Sequence, residues 1–293
     1  MKQLIITIAA LLLLPLAVMA QYEEDTENGV VSLNGKEGFT IATKKGDFVF
    51  KPYMLVQTSA NINYYDDEGL DPAYNQDNIH NSGFSIPYAI LGFTGKAFDR
   101  VTFNLSINAA GSGGNILQQA WFVEMKKSFA IRAGKFKTPF SHAYLTTLGE
   151  TLMPTLPTSL TSSVILPYSL NAVTPNIGMG FDLGVEVHGL VKEKFGYEVG
   201  IFNGTGSSVN VASKTFSDDW HIPSLLYAGR ITYMPKGVMP SNQGSPNRLK
   251  EDKMLFGLST SLNVESESES TNDFRAGAEF AMLKNRLYLG AEI

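Results

Sequence analysis

The sequence predicts an all-β chain built as a transmembrane antiparallel β-barrel. Three observations carry that prediction. Apolar and polar residues alternate with period two along about eleven segments, so each segment has one apolar and one polar face. The connections between segments alternate between short and long. Aromatic residues gather near segment ends, at Tyr64, Tyr65, Tyr168 and Tyr233. Short turns at one end, long loops at the other and an aromatic girdle are the layout of an outer-membrane barrel. A soluble β-sandwich also alternates, but it turns its apolar face inward. The long strands and a polar face rich in Ser, Asn and Gln favour the barrel.

The chain opens with a short positive start, Met1-Lys2-Gln3, followed by an almost wholly apolar run from Leu4 to Val18. That run is short for a spanning helix, which needs about 20 residues. Residues 1–20 therefore read as a signal peptide cleaved near Ala20, and residues 21–46 as an N-terminal periplasmic extension. The barrel is expected over residues 47–293. After residue 20 no segment has 18 consecutive apolar residues, so no transmembrane helix is expected.

The strands then follow in order. Phe48, Phe50, Met54, Val56, Ala60 and Ile62 oppose Lys51, Gln57, Ser59 and Asn61. Phe84, Ile86, Tyr88 and Ile90 make the next apolar set. Val101, Phe103, Leu105 and Ile107 oppose Thr102, Asn104, Ser106 and Asn108. Leu117, Trp121, Val123 and Met125 face away from Gln118 and Glu124, and Phe129, Ile131 and Ala133 face away from Arg132. Val185, Val187 and Val191 oppose Asp182, Glu186 and His188. Tyr197, Val199 and Ile201 oppose Glu198. Tyr227, Ile231 and Tyr233 oppose Arg230. Phe256, Leu258 and Leu262 oppose Ser259, Ser261 and Asn263. Phe274, Phe280 and Met282 oppose Asp273, Arg275 and Glu279. Leu287, Leu289 and Ala291 oppose Arg286 and Glu292. Tight turns are expected at 96–100, 126–128, 193–194 and 284–285, and long loops at 66–82, 138–178, 203–223 and 265–272. The run 235–253 is long where a short turn is due, and reads as a periplasmic insertion.

Composition excludes other classes. The 293 residues include no cysteine, so there is no disulfide framework, thiolate metal site or cysteine nucleophile. Lys plus Arg number 23 against 28 for Asp plus Glu, a balance that argues against nucleic acid as a partner. No enzyme is expected: the chain has no G-x-S-x-G and no phosphate-cradling Gly-Lys-[Ser/Thr] loop. His80, His142, His188 and His221 show no metal spacing, and the acidic run Asp66 to Asp77 lacks a calcium-loop pattern. No cofactor and no metal are therefore expected.

Six stretches in order resemble the phosphate-selective porin (O and P type) family of Gram-negative outer-membrane porins. They are Gly46-Asp47-Phe48 leading to Gln57; Leu91-Gly92-Phe93-Thr94-Gly95-Lys96 with Phe98; Ala120-Trp121-Phe122-Val123-Glu124; Gly134-Lys135-Phe136-Lys137-Thr138-Pro139-Phe140; Asp182-Leu183-Gly184-Val185; and Gly196 to Gly204. The resemblance implies a 16-stranded barrel in the outer membrane, usually a homotrimer, that passes small solutes. It also implies that 138–178 is a loop folded into the pore. The prolines of that loop, from Pro139 to Pro175, forbid helix interior and central strand alike. Its leucines, Leu145, Leu148, Leu152, Leu156 and Leu160, need a surface to pack against. Set beside the family, an odd count of about eleven strands with no terminal aromatic residue leads to the expectation of a C-terminally truncated chain.

The expected function is a water-filled channel for passive diffusion of small hydrophilic solutes or ions, with anions such as phosphate among them. The alternative is a non-transporting barrel that serves as adhesin or scaffold. Outer-membrane lipid surrounds either. Six basic residues face seven acidic ones on the polar faces, which is not an anion funnel. The pore and constriction candidates are Arg132, Lys135, Lys137, His142, Arg230 and Arg275. Lys135 and Lys137 share parity with Ile131, so they face the lumen only if a bulge intervenes or if they lie above the lipid.

Overall fold

The computed structural model describes residues 22–25, 29–34, 38–64, 80–98, 100–110, 117–126, 129–151, 181–204, 225–240, 243, 252–264, 272–285 and 287–293. Fourteen strands among them form one antiparallel sheet in chain order, and the described sheet is not closed. Three short strands come first: β1 Tyr22–Asp25, β2 Gly29–Asn34 and β3 Gly38–Thr43. Next come β4 Phe48–Tyr64, β5 His80–Ala97, β6 Val101–Asn108, β7 Leu117–Lys126 and β8 Ala130–Lys137. The remainder are β9 Phe181–Val191, β10 Phe195–Phe202, β11 Leu226–Tyr233, β12 Lys253–Asn263, β13 Asp273–Lys284 and β14 Leu287–Glu292.

The eleven segments read from the sequence are β4 to β14. The count is higher because β1 to β3 lie in the stretch expected as an extension. They are four to six residues long, too short for a periodic signal. β3 meets β4 only through Ile41↔Phe50 and Ala42↔Val49.

Burial is inverted relative to a soluble sheet. On β11, Leu226, Ala228, Arg230 and Thr232 are buried while Ile231 and Tyr233 are exposed. On β12, Ser259, Ser261 and Asn263 are buried while Phe256 and Leu258 are exposed. β7 buries Glu124 and exposes Val123 and Met125; β9 buries Asp182 and Glu186 and exposes Val185 and Val187. A sandwich would bury the apolar set. An apolar surface spread over every long strand is the face a barrel turns to lipid.

Aromatic rings reinforce that outer face near the short-turn end. Phe195, Tyr233, Phe256 and Phe280 are successive cross-strand neighbours on β10 to β13. Phe195 and Tyr233 stack at 4.8 Å, and Phe256 and Phe280 lie 5.4 Å apart. Of the girdle residues expected from the sequence, Tyr233 sits in this row; Tyr65 and Tyr168 lie outside the described residues. The turns at this end are tight. Lys192 and Glu193 both have positive φ, 52° and 55°, and Lys194 N–H donates to the Val191 carbonyl at 3.1 Å. Both central residues of this turn have positive φ, as in the primed turns whose twist matches the strands, within a connection of three residues.

Candidate functional site

The alternation fails at β8. Gly134 has φ +132°, a region a side chain rarely adopts. Around it Gly134, Lys135 and Phe136 are all buried in succession. The register with β7 and β9 runs through this point without the bulge that is one condition for Lys135 and Lys137 to face the lumen. Lys135 is 6% exposed. Lys137 Nζ donates to the carbonyls of Tyr144 at 2.6 Å and Thr146 at 2.9 Å, and lies over the Tyr144 ring. Lys137 fastens the segment that follows it.

Lys137 holds the start of the long loop. Pro139 ends the strand ladder because it has no N–H to give. Ser141, with φ +64°, then caps a single helical turn, α1 His142–Leu145, by accepting from Tyr144 N–H. A 3-10 turn follows at Leu148–Glu150. Thr138, Ser141, His142, Tyr144 and Thr146 are all buried.

Residues 138–151 are laid against the polar face of the sheet and fastened at several strands. The Ser141 hydroxyl and the Ala143 N–H, the latter at 2.7 Å, both donate to the Glu292 carboxylate on β14. The Phe140 ring lies against Gly277 of β13, and a Cβ added at Gly149 would meet the Leu55 side chain of β4 at 3.7 Å. Gln243 N–H, in the β11–β12 connection, donates to the Glu150 carbonyl at 2.9 Å. The segment thus leaves β8 and reaches strands that are not its neighbours in the sheet. The leucines from Leu152 onward lie outside the described residues.

The polar face beneath it carries charges in clamps. Arg132 donates through Nε (3.0 Å) and Nη2 (2.7 Å) to Glu124 and through Nη1 to Glu186 at 3.4 Å. His188 Nε2 lies 2.8 Å from the same Glu124. Arg132 also lies over the Phe122 and Phe136 rings, at 4.9 and 5.3 Å. Register explains this clamp: Glu124 and Glu186 are the direct cross-strand partners of Arg132 on β7 and β9. The second clamp is Arg230, which donates through Nε and Nη2 to Glu279 at 2.7 and 3.0 Å and through Nη1 to Glu198 at 3.1 Å. Glu198 is its direct partner. Glu279 lies two strands away and reaches across Gly257, where a Cβ would collide with the glutamate side chain. Arg275 makes the third pair, bidentate on Asp273 at 2.9 and 2.6 Å.

A cavity of about 250 Å³ remains between the segment, the wall and the β11–β12 connection, lined by His142, Tyr197, Glu198, Arg230 and Met239 among others. The structure gathers His142 and Arg230 at this cavity; Arg132 lies in its own clamp, Lys135 is buried on β8, Lys137 holds the loop, and Arg275 is paired with Asp273. Sequence reasoning missed Ser141, Gln243 and Met239. Only the excess length of 235–253 marked that connection as unusual. The acidic run 66–77 lies outside the described residues. Among the described residues, no cluster of His, Asp and Glu is placed to hold a metal.

His142 gives a pH expectation. Burial, then the positive charge of Arg230, hold its imidazole below the ordinary value of 6.5, while Glu279 opposes the shift. A histidine with a depressed value binds fewer protons docked than free, so docking is fully stabilised above 6.5 and weakens as the pH falls below it. Acidification through that range is expected to raise current noise in single-channel recordings, and His142→Gln to flatten the response. An equal response in the variant would remove His142 from the explanation.

Residues 56–293 match the family model described as phosphate-selective porin O and P. No curated protein matches the chain.

Proposed function

Because the chain belongs to the phosphate-selective porin O and P family, a family of outer-membrane channels, we propose that its lumen passes small hydrophilic solutes or ions by passive diffusion through a gap narrowed by loop 138–178. The observation that carries this reading is the fastening of residues 138–151 across the polar face, from Lys137 on β8 to Glu292 on β14. A polar face lined by charges and bridged by a loop supplies both a hydrated path and a constriction.

The mature chain begins near Gln21, after removal of residues 1–20. It sits in outer-membrane lipid as a homotrimer. Anions such as phosphate are among its solutes, as the family name suggests. Ion discrimination is weak. The three arginines placed on the wall share their donors with carboxylates, so they do not form a run of open guanidinium groups for anions to follow.

The test is single-channel recording in a planar bilayer under a KCl gradient. The expected result is discrete current steps with a reversal potential close to zero. A reversal potential near that of chloride would replace weak discrimination by anion selectivity. A folded, detergent-soluble protein that gives no steps would move the assignment to a non-conducting scaffold.

A further inference from the structure

The β11–β12 connection lies at the end of the sheet where the other described turns are tight, yet it spans residues 234–252. Its described part does not hang away from the sheet. Met234 and Met239 are each 6% exposed and pack with Leu255, Ala281 and Leu283, with Tyr288 against them. Leu255, Ala281 and Leu283 are on the same face as Ser259, Glu279 and Arg230. They are an apolar patch on a wall that also carries charged and hydroxyl groups, and water over it would be unfavourable. The two methionines cover it. Gly237, at φ +80°, turns the chain by donating its N–H to the Met234 carbonyl at 3.1 Å, and Met239 N–H donates to the Met234 sulfur at 3.3 Å. Lys253 Nζ donates to the Lys236 carbonyl at 3.0 Å and Lys236 pairs with Asp252, which ties the base of the connection together. Gln243 then meets Glu150 of the long loop.

From this arrangement we infer that the described part of the β11–β12 connection, residues 234–240 and 243, is the second half of the constriction. It enters from the short-turn end, docks on the apolar patch, and holds residues 138–151 in position through Gln243. Gln243 and Met239 act as positioning residues: neither is charged, and neither selects the solute. The inference rests on the porin reading above.

The chain's lack of cysteine makes the test clean. Glu150→Cys with Gln243→Cys introduces the only two thiols, at residues joined by a backbone hydrogen bond and so within the separation a disulfide spans. The expected result is a crosslink under mild oxidation, seen as a mobility change reversed by reductant, in a channel whose current is quieter when oxidised than when reduced. In a second variant, residues 238–251 are replaced by a tight turn. Its conductance is expected to rise about twofold, as one of two narrowing elements is withdrawn. Met239→Gln, a milder change, is expected to raise current noise without loss of the folded barrel. Failure of the two cysteines to crosslink, or an unchanged conductance in the shortened variant beside a conducting wild type, overturns the inference alone. A silent wild type overturns the porin reading and takes this inference with it.

Discussion

Replacing Arg230 with alanine is expected to destabilise the barrel by about 3–5 kcal/mol, the range for removing one partner of a buried ion pair. Exposed pairs contribute at most about 1 kcal/mol, so burial decides the magnitude. Arg230 is 8% exposed and Glu279 is 5% exposed. Removing the guanidinium takes three donors away from Glu279 and Glu198 at once and leaves a carboxylate buried without its cation. Heating in detergent and following loss of the compact form on a gel gives the ordering, and urea unfolding gives the free energy. Arg230→Met combined with Glu279→Gln should recover most of the loss, because no uncompensated charge then remains. Arg132→Ala should cost less, since its side chain is 27% exposed against 8% for Arg230. A loss below about 1 kcal/mol for Arg230→Ala would mean that water already screens the clamp.

Deleting loop 138–178 is expected to raise single-channel conductance roughly threefold, because the segment that lies across the polar face no longer limits the cross-section. The deletion also frees Glu292, so ion preference should move toward cations. Glu292→Gln isolates that anchor. It removes a charged acceptor that takes two hydrogen bonds from the segment, and charge-assisted bonds of this kind are about twice as strong as neutral ones. Its expected signature is noisier current at nearly unchanged mean conductance. A deletion variant that folds and conducts as the wild type does would sink the constriction assignment.

The strands were legible because a sheet with lipid on one side and water on the other must sort its side chains at every second position. β9 shows it in five residues, from Val185 to Gly189, where Glu186 and His188 alternate with Val185 and Val187. Most faces of β4 to β14 followed from that; on β5, Ile90 is buried while Leu91 and Phe93 of the other parity are exposed. Pairing between charges was less legible. Arg132 meeting Glu124 and Glu186 depends on register across two hairpins, and one of those hairpins is separated from the other by a loop of more than forty residues. Arg230 meeting Glu279 depends on an absent side chain at Gly257, which no periodicity reports. β1 to β3 were too short to alternate visibly. At β8 a bulge was one condition for Lys135 and Lys137 to face the lumen, yet the register runs through the strand without one; the positive φ of Gly134 has no mark in the periodicity. The role of the β11–β12 connection was hidden because apolar residues such as Leu255 and Leu283 carry no mark of which face they occupy until the strand's register is known.

The inward placement of charges also bears on how such a chain reaches its destination. A polypeptide bound for the outer envelope must first cross a membrane that retains long apolar helices. Interleaving Asp, Glu, Arg and Ser with Val, Phe and Leu keeps every stretch of β9 to β13 too polar to be arrested there. The apolar surface appears only when strands pair and the polar residues turn away together. The hydrophobic belt is thus a product of folding, carried through secretion in a dispersed form that a translocation pore does not recognise.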